Sequence, residues 1–450
     1  MKLNNALTAC LVAIATTASA QTSRMMMPAV SSPSVSDEGT ELGANSTLSA
    51  SGIALGNRVK MRGFVDFRYD YTDLDDLGDD DARFRTAADI DFLFDFSPVT
   101  GEIHLAADSG GVGLEQAFLR YNFNQDFSLT AGRQLTVLGF EKDESPNMYQ
   151  TSYGYLTDIK DDMPDGKGNS AMKSFIGMSK MTTAATQIND QITNEIKGVA
   201  PTAIPETVKY RTDNTHTNPT DFNLPNFRRN YVDGIRLNFN NGQFGFVAGL
   251  HNGYFTDSDH LNDGNVGLDI AASVMIIPGL EFRLGFGYEN NDQYNESIGG
   301  YNTWTSGMAS ALDDDGLTDE ASFVRSYLFP TSDDISQLNF LLSYQTGGLT
   351  LAFEWDMWDV YVVDIWNIMF LANYQFNDVF GLTFRYTHED FEADVPGGGD
   401  GDSDRFTIGP MFTITDNLTL GIEYSHAELD SAHTGDTSID ELYAETIFSF

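Results

Sequence analysis

Charged residues recur at every second position through several apolar stretches of this chain. In "VKMRGFVDFRYDY", Lys60, Arg62, Asp66, Arg68 and Asp70 fall on one side, while Val59, Met61, Val65, Phe67, Tyr69 and Tyr71 fall on the other. The pattern returns with Asp89, Asp91 and Asp95 against Ile90, Phe92, Phe94 and Phe96, and with Glu281, Arg283 and Glu289 against Leu280, Phe282, Leu284, Phe286 and Tyr288. Glu354 and Asp356 oppose Leu349, Leu351, Phe353 and Trp355, and Glu423 opposes Leu418, Leu420, Ile422 and Tyr424. Guanidinium and carboxylate groups set along a wetted wall break no bonds. They create a field that orients and sorts polar solutes.

Bond-making chemistry has little to stand on. The seven histidines (His104, His216, His251, His260, His388, His426 and His433) are scattered, and no Gly-x-Ser-x-Gly, metal-binding His pair or phosphate loop occurs in the context such motifs require. The sequence reads as a non-enzyme. His104 and His251 are read as polar lumen or loop residues. The single cysteine, Cys10, falls in an N-terminal stretch built of one lysine, an apolar run from Ala6 to Ala15 and then Ala18-Ser19-Ala20. That order predicts a secretory signal peptide over 1–20 with cleavage after Ala20, and a mature chain without thiol chemistry or disulfides.

Composition excludes other classes. With 66 acidic and 25 basic residues the formal charge is -41 and no basic run appears, so a nucleic-acid surface is not expected. Hydrophobic residues make up 41% of the chain, which argues against disorder. No apolar run beyond the leader approaches the roughly 18 residues of a membrane helix.

The elements that must position the charges are strands, because only a period of two separates the faces this way. Seven pairs of strands are joined by short connections at Ser97 to Val99, Asn124 to Asp126, Asn240 to Gln243, Pro278 to Gly279, Thr346 to Gly348, Asn377 to Val379 and Thr415 to Asn417. Longer acidic segments such as "TDLDDLGDDDAR", "SALDDDGLTDEAS" and "DVPGGGDGDSDR" separate the pairs. Strict alternation of short turns with long loops predicts a transmembrane antiparallel up-and-down β-barrel, with short periplasmic turns and long external loops. Fourteen hairpin strands, an opening strand from Val59 to Tyr71 and a closing strand from Ile439 to Phe450 give sixteen. The expected organisation is a signal peptide (1–20), a flexible periplasmic leader (21–58) and a barrel (59–450) whose long third loop (137–230) takes in the apolar patch Ala171 to Met178.

Aromatics gather beside the short turns, at Phe96, Phe123, Phe127, Phe239, Phe244, Tyr344, Phe376, Phe380 and Phe412, as an interfacial girdle would. The chain closes on "AETIFSF". A barrel's last strand must pair with its first, since an open edge in lipid leaves backbone groups unsatisfied. Phe448 and Phe450 would then face lipid, and the ending resembles the terminal-phenylalanine signal that the outer-membrane assembly machinery recognises.

One stretch is more specific. "GLEQAFLRYNFNQDFSLTAGRQLTVLGFEKDESPNMYQTSYGYL", Gly113 to Leu156, resembles the OmpL-like β-barrel porin family in its Leu-Glu-Gln-Ala, Arg-Tyr, Gly-Arg and Leu-Gly-Phe-Glu run. The resemblance implies a passive water-filled channel for small hydrophilic solutes in the bacterial outer membrane. The long third loop and the acidic character depart from the family and leave selectivity open. A non-conducting structural or adhesive barrel acting through its external loops is the alternative, and the oligomer, monomer or homotrimer, stays open.

Parity names the inward side chains. The inward bases are Lys60, Arg62, Arg68, Arg85, Arg120, Arg236, Arg283 and Arg385. The inward acids are Asp66, Asp70, Asp89, Asp91, Asp95, Glu102, Asp108, Asp269, Glu281, Glu289, Glu354, Asp356, Glu389, Glu423 and Glu445, and their excess predicts a weak cation preference. The candidate pore lining is Lys60, Arg62, Asp66, Arg68, Arg85, Asp89, Asp91, Arg120, Glu281, Arg283, Glu354 and Arg385. If the third loop folds inward, its acids Glu141, Asp143, Glu144, Asp158, Asp161 and Asp162 face the bases of the first strands. The other account of these charges is a solvated wall without a selective role. Arg133 falls on the lipid-facing parity, which places it at the rim or beyond a bulge. No cofactor is expected. Asp79 to Asp81 and Asp400, Asp402 and Asp404 present exposed carboxylates, either simply solvated or bridged by Ca²⁺ to one another or to lipid phosphate.

Overall fold

The computed structural model describes residues 53–55, 58–73, 80–141, 145–152, 154–155, 231–253, 266–290, 292–314, 316–332, 334–393, 399–431 and 435–450. The expected signal peptide, most of the leader and most of the third loop lie outside them. So do Ala171 to Met178, Asp79, Asp143, Glu144, Asp158, Asp161 and Asp162.

A two-residue strand, β1 (Ile53–Ala54), folds back on the first spanning strand, β2 (Val59–Asp73), pairing Ile53 with Met61 and Ala54 with Lys60. From there the chain runs through β3 (Asp81–Phe96), β4 (Val99–Asp108), β5 (Gly111–Asn122), β6 (Phe127–Leu135), β7 (Tyr231–Asn240), β8 (Phe244–His251), β9 (Val266–Ile277) and β10 (Leu280–Asn290). It continues as β11 (Asp334–Thr346), β12 (Leu349–Val360), β13 (Val363–Gln375), β14 (Phe380–Ala393), β15 (Asp400–Thr415), β16 (Leu418–Ser431) and β17 (Thr437–Ser449). Each strand from β2 to β17 pairs antiparallel with the next, and β17 returns to β2, so sixteen strands form a closed up-and-down barrel.

The faces are inverted relative to a soluble protein. Leu119 is 65% exposed on the outside, while the Arg385 side chain is fully buried inside. Apolar residues outward and polar residues inward suit lipid on one side and water on the other. At the short-turn end the outward aromatics touch one another, with ring centroids 5.2 Å apart for Phe123 and Phe127 and 5.3 Å for both Phe376–Phe380 and Phe380–Phe412.

All seven short hairpins occur where the sequence places them, but the alternation with long loops is not strict. At the opposite, external end β4 and β5 are joined by Ser109 and Gly110 alone, and β12 and β13 by Tyr361 and Val362. Asp108, expected inward, sits exposed at the first of these turns, where its Oδ1 accepts from the Gly110 and Gly111 amides. Tyr361 adopts a positive φ of 60°, which the tight two-residue connection requires.

The external connection from β10 to β11 is helical, although the acidic run "SALDDDGLTDEAS" within it has the composition of a loop. It forms α1 (Gln293–Asp314) and α2 (Thr318–Arg325). Asp319 and Glu320 in the first turn of α2 and Arg325 in its last complement the helix dipole. Inside the external half of the barrel Tyr294, Ile298 and Tyr301 of α1 pack with Trp358, Val360, Tyr361, Phe391 and Leu429 into an apolar cluster. Tyr294 stacks on Tyr361 at 5.4 Å.

Candidate functional site

The third loop begins at Thr136 and turns into the barrel, where its described residues up to Tyr155 meet the inner wall. Gly285 of β10 makes the approach possible, since a Cβ there would collide with Leu138 Cδ2. Beyond Leu138 the loop's backbone is satisfied by wall side chains. Arg283 donates to the Gly139 carbonyl at 2.6 Å, and the Phe140 amide donates to Glu354 Oε1 at 3.0 Å.

Arg385 of β14 is the centre of the attachment. It pairs with Glu141 and donates to the Ser152 carbonyl at 2.9 Å and the Ser152 hydroxyl at 2.8 Å. Glu423 of β16 accepts from the Thr151 amide at 2.6 Å and from the Ser152 hydroxyl. Glu445 of β17 accepts from the Thr151 hydroxyl at 2.8 Å, and Asp66 of β2 accepts from the Ser145 hydroxyl at 3.3 Å. Thr383 and Thr387 of β14 donate to the carbonyls of Tyr149 and Gly154 at 3.0 and 2.8 Å. Buried charge-assisted hydrogen bonds of this kind are stronger than neutral ones, and here six strands share them. Burial also pushes the Tyr155 phenol well above its ordinary range, reinforced by Glu354 and Asp356. Tyr149 shifts the same way through burial.

The remaining wall charges form separate networks. Arg62 meets Asp91 at 2.7 Å, and His104 lies between Asp91 at 3.0 Å and Glu102 at 2.9 Å. Arg68 and Arg85 both reach Asp70 at 2.7 Å. Arg236 and His251 converge on Asp269 at 3.4 and 3.0 Å. Arg120 donates to the Thr130 hydroxyl at 3.2 Å and lies over the Phe118 ring. Lys60, Asp89 and Glu281 are buried on the same inner face. Asn339 bridges Glu354 and Asp356 at 2.7 and 2.9 Å.

Several placements differ from the sequence reading. Glu141, the loop acid within the described residues, meets Arg385 on β14 rather than the bases of the first strands. Arg405 and Glu441, neither of them named from sequence, pair inside the barrel, and Arg405 also donates to the Ser425 hydroxyl at 2.6 Å. The signal of Arg405 was parity, hidden because "GDGDSDR" looks like loop while Asp400 to Arg405 is strand; Glu441 shares the inward parity of Glu445 on the closing strand. Arg133 lies on the outer face and reaches Asp233, its register partner on β7, at 3.3 Å. Phe448 is exposed to the outside, and its ring is 6.3 Å from that of Phe450.

No family model matches the chain, and no curated protein matches it. Among solved structures, the outer membrane channel DcaP of Acinetobacter baumannii is similar over 89% of this chain and 100% of its own, at 12% identity and a TM-score of 0.50. OmpF of Salmonella typhi, in complex with daunomycin, aligns with 88% of this chain and 98% of its own at 14% identity and a TM-score of 0.49. An anion-selective porin from Comamonas acidovorans aligns with 87% and 99% at 11% identity and a TM-score of 0.48. At such identities the likeness is one of fold. The chain is a sixteen-stranded β-barrel of the outer-membrane class, porin-like in architecture. That fold is the one outer-membrane barrels share.

Proposed function

We propose that this barrel is a passive diffusion channel for small hydrophilic solutes with a weak preference for cations. The observation that carries the reading is the third loop tied by Arg385, Glu423 and Glu445 against a charged inner wall, which narrows a polar lumen. Arg283, Arg385 and Arg405 each contact the loop or a carboxylate, so the wall's excess of acids sets the sign of its potential. No step of bond chemistry enters this function. Membership of the OmpL-like family, resting on Gly113 to Leu156, and assembly as a homotrimer belong to the same proposal.

The apolar cluster of α1 inside the external half favours a second reading, a non-conducting barrel that works through its outer surface. Liposome swelling with small uncharged sugars separates the two. Swelling that falls with sugar size supports the channel, and its absence supports the surface barrel.

A further inference from the structure

The outer wall carries a group of ligating side chains that a channel does not use. His388 of β14 and Asp404 of β15 face outward in direct register at the external ends of their strands, with Asp402 two residues along. One ligand atom from each of the three lies within 4.8 Å of the others. All three side chains are half-buried.

The imidazole is held in place. Trp366 stands 5.0 Å from its ring, and Asp404 Oδ1 lies 3.0 Å from Nδ1 while accepting from the Tyr386 hydroxyl at 2.6 Å. The carboxylates are crowded. Asp402 stands in register with Asp390 on one side and Asp430 on the other, and Asp404 with Glu428. Like charges directly opposite across strands destabilise a sheet, and a bound cation removes that cost.

A near copy one hairpin later serves as an internal comparison. Tyr424 and His426 of β16 reach Asp440 of β17 at 2.5 and 2.9 Å, the imidazole through Nδ1, but the other carboxylate, Glu428, lies by the opposite ring nitrogen, Nε2, at 3.8 Å. Among the described residues, only the first grouping brings one histidine and two carboxylates within mutual ligand distance.

We propose that His388, Asp402 and Asp404 form a surface site for a borderline divalent cation, with Zn²⁺ as the fitting member. Two groups that share a proton across 3.0 Å share a metal ion instead, and the proton leaves to solvent. One imidazole and two carboxylates supply three of the four ligands of a tetrahedral zinc, and water or an external anion takes the fourth. Calcium prefers six to eight oxygens and gains nothing from the imidazole, so the site discriminates against it.

The test uses the full-length barrel folded in detergent, titrated with ZnCl₂ and separately with CaCl₂ by calorimetry. The expected result is one zinc per chain, bound more tightly than calcium, with affinity falling about tenfold or more in His388→Ala and Asp402→Asn and unchanged in His426→Ala. His388→Gln keeps a polar side chain beside Asp404 and guards against misfolding, which heat-modifiable mobility monitors; it also loses zinc. Zinc binding that is no tighter than calcium, or that survives in both His388 variants, overturns the proposal.

Discussion

Arg385 and Ser152 are joined twice, guanidinium to carbonyl at 2.9 Å and guanidinium to hydroxyl at 2.8 Å, although 233 residues separate them in sequence. The contact ties the third loop to the wall of β14. Because the same guanidinium also pairs with Glu141, its removal leaves buried acceptors without a donor.

Arg385→Ala is therefore expected to loosen the loop around Glu141 and Ser152. Breaking a buried charged pair from one side costs about 3–5 kcal/mol, enough to detach a segment without unfolding the barrel. Single-channel recordings should show larger and noisier conductance than the parent. An unchanged conductance would mean that the other wall contacts hold the loop without Arg385.

A second route to the same loop is steric. Gly285→Val places atoms where Leu138 sits, and overpacking of this kind costs about 1–3 kcal/mol. The variant should fold, lose resistance to denaturant and show accelerated proteolysis between Thr136 and Tyr155. Parental denaturation and proteolysis would show that Leu138 finds another seat.

How much of this was legible in the sequence follows from periodicity. A strand's faces alternate strictly, so Arg283, Glu354 and Arg385 could be placed inward from parity alone, and the hairpins could be counted from their turns. A loop has no period, so nothing near Glu141 pointed to β14 rather than to the bases of the first four spanning strands. The acidic "GGGDGDSDR" run carries none of the alternating apolar residues that mark the other strands, and that concealed Arg405. The small and polar residues of α1 concealed a helix whose buried face is carried by Tyr294, Ile298 and Tyr301.

The apolar cluster beneath α1 gives a third expectation. Trp358 is among the largest fully buried side chains, and truncating such a residue costs about 3–5 kcal/mol. Trp358→Ala should lower the urea midpoint of the barrel in lipid vesicles and loosen α1. A midpoint equal to the parent's would show that the helix contributes little to stability.

The closing seam gives a fourth. Phe450 and Gly63 exchange backbone hydrogen bonds at 2.9 and 3.1 Å, and a Cβ on Gly63 would come within 3.0 Å of the Phe450 ring. Deleting Phe450 should reduce the amount of folded protein in the outer membrane while leaving the conductance of inserted barrels unchanged. Normal abundance by heat-modifiable mobility would refute a role in assembly.

The central claim, an open polar channel with a carboxylate-dominated wall, is tested most directly by reversal potential across a planar bilayer under a potassium chloride gradient. The expected result is measurable conductance with a modest cation preference that fades as salt rises, because charges in a water-filled pore are screened within about 10 Å at about 0.1 M. A clear anion preference at low salt would show that Arg62, Arg68 and Arg85 control the narrowest point. No conductance at any salt would contradict the channel itself.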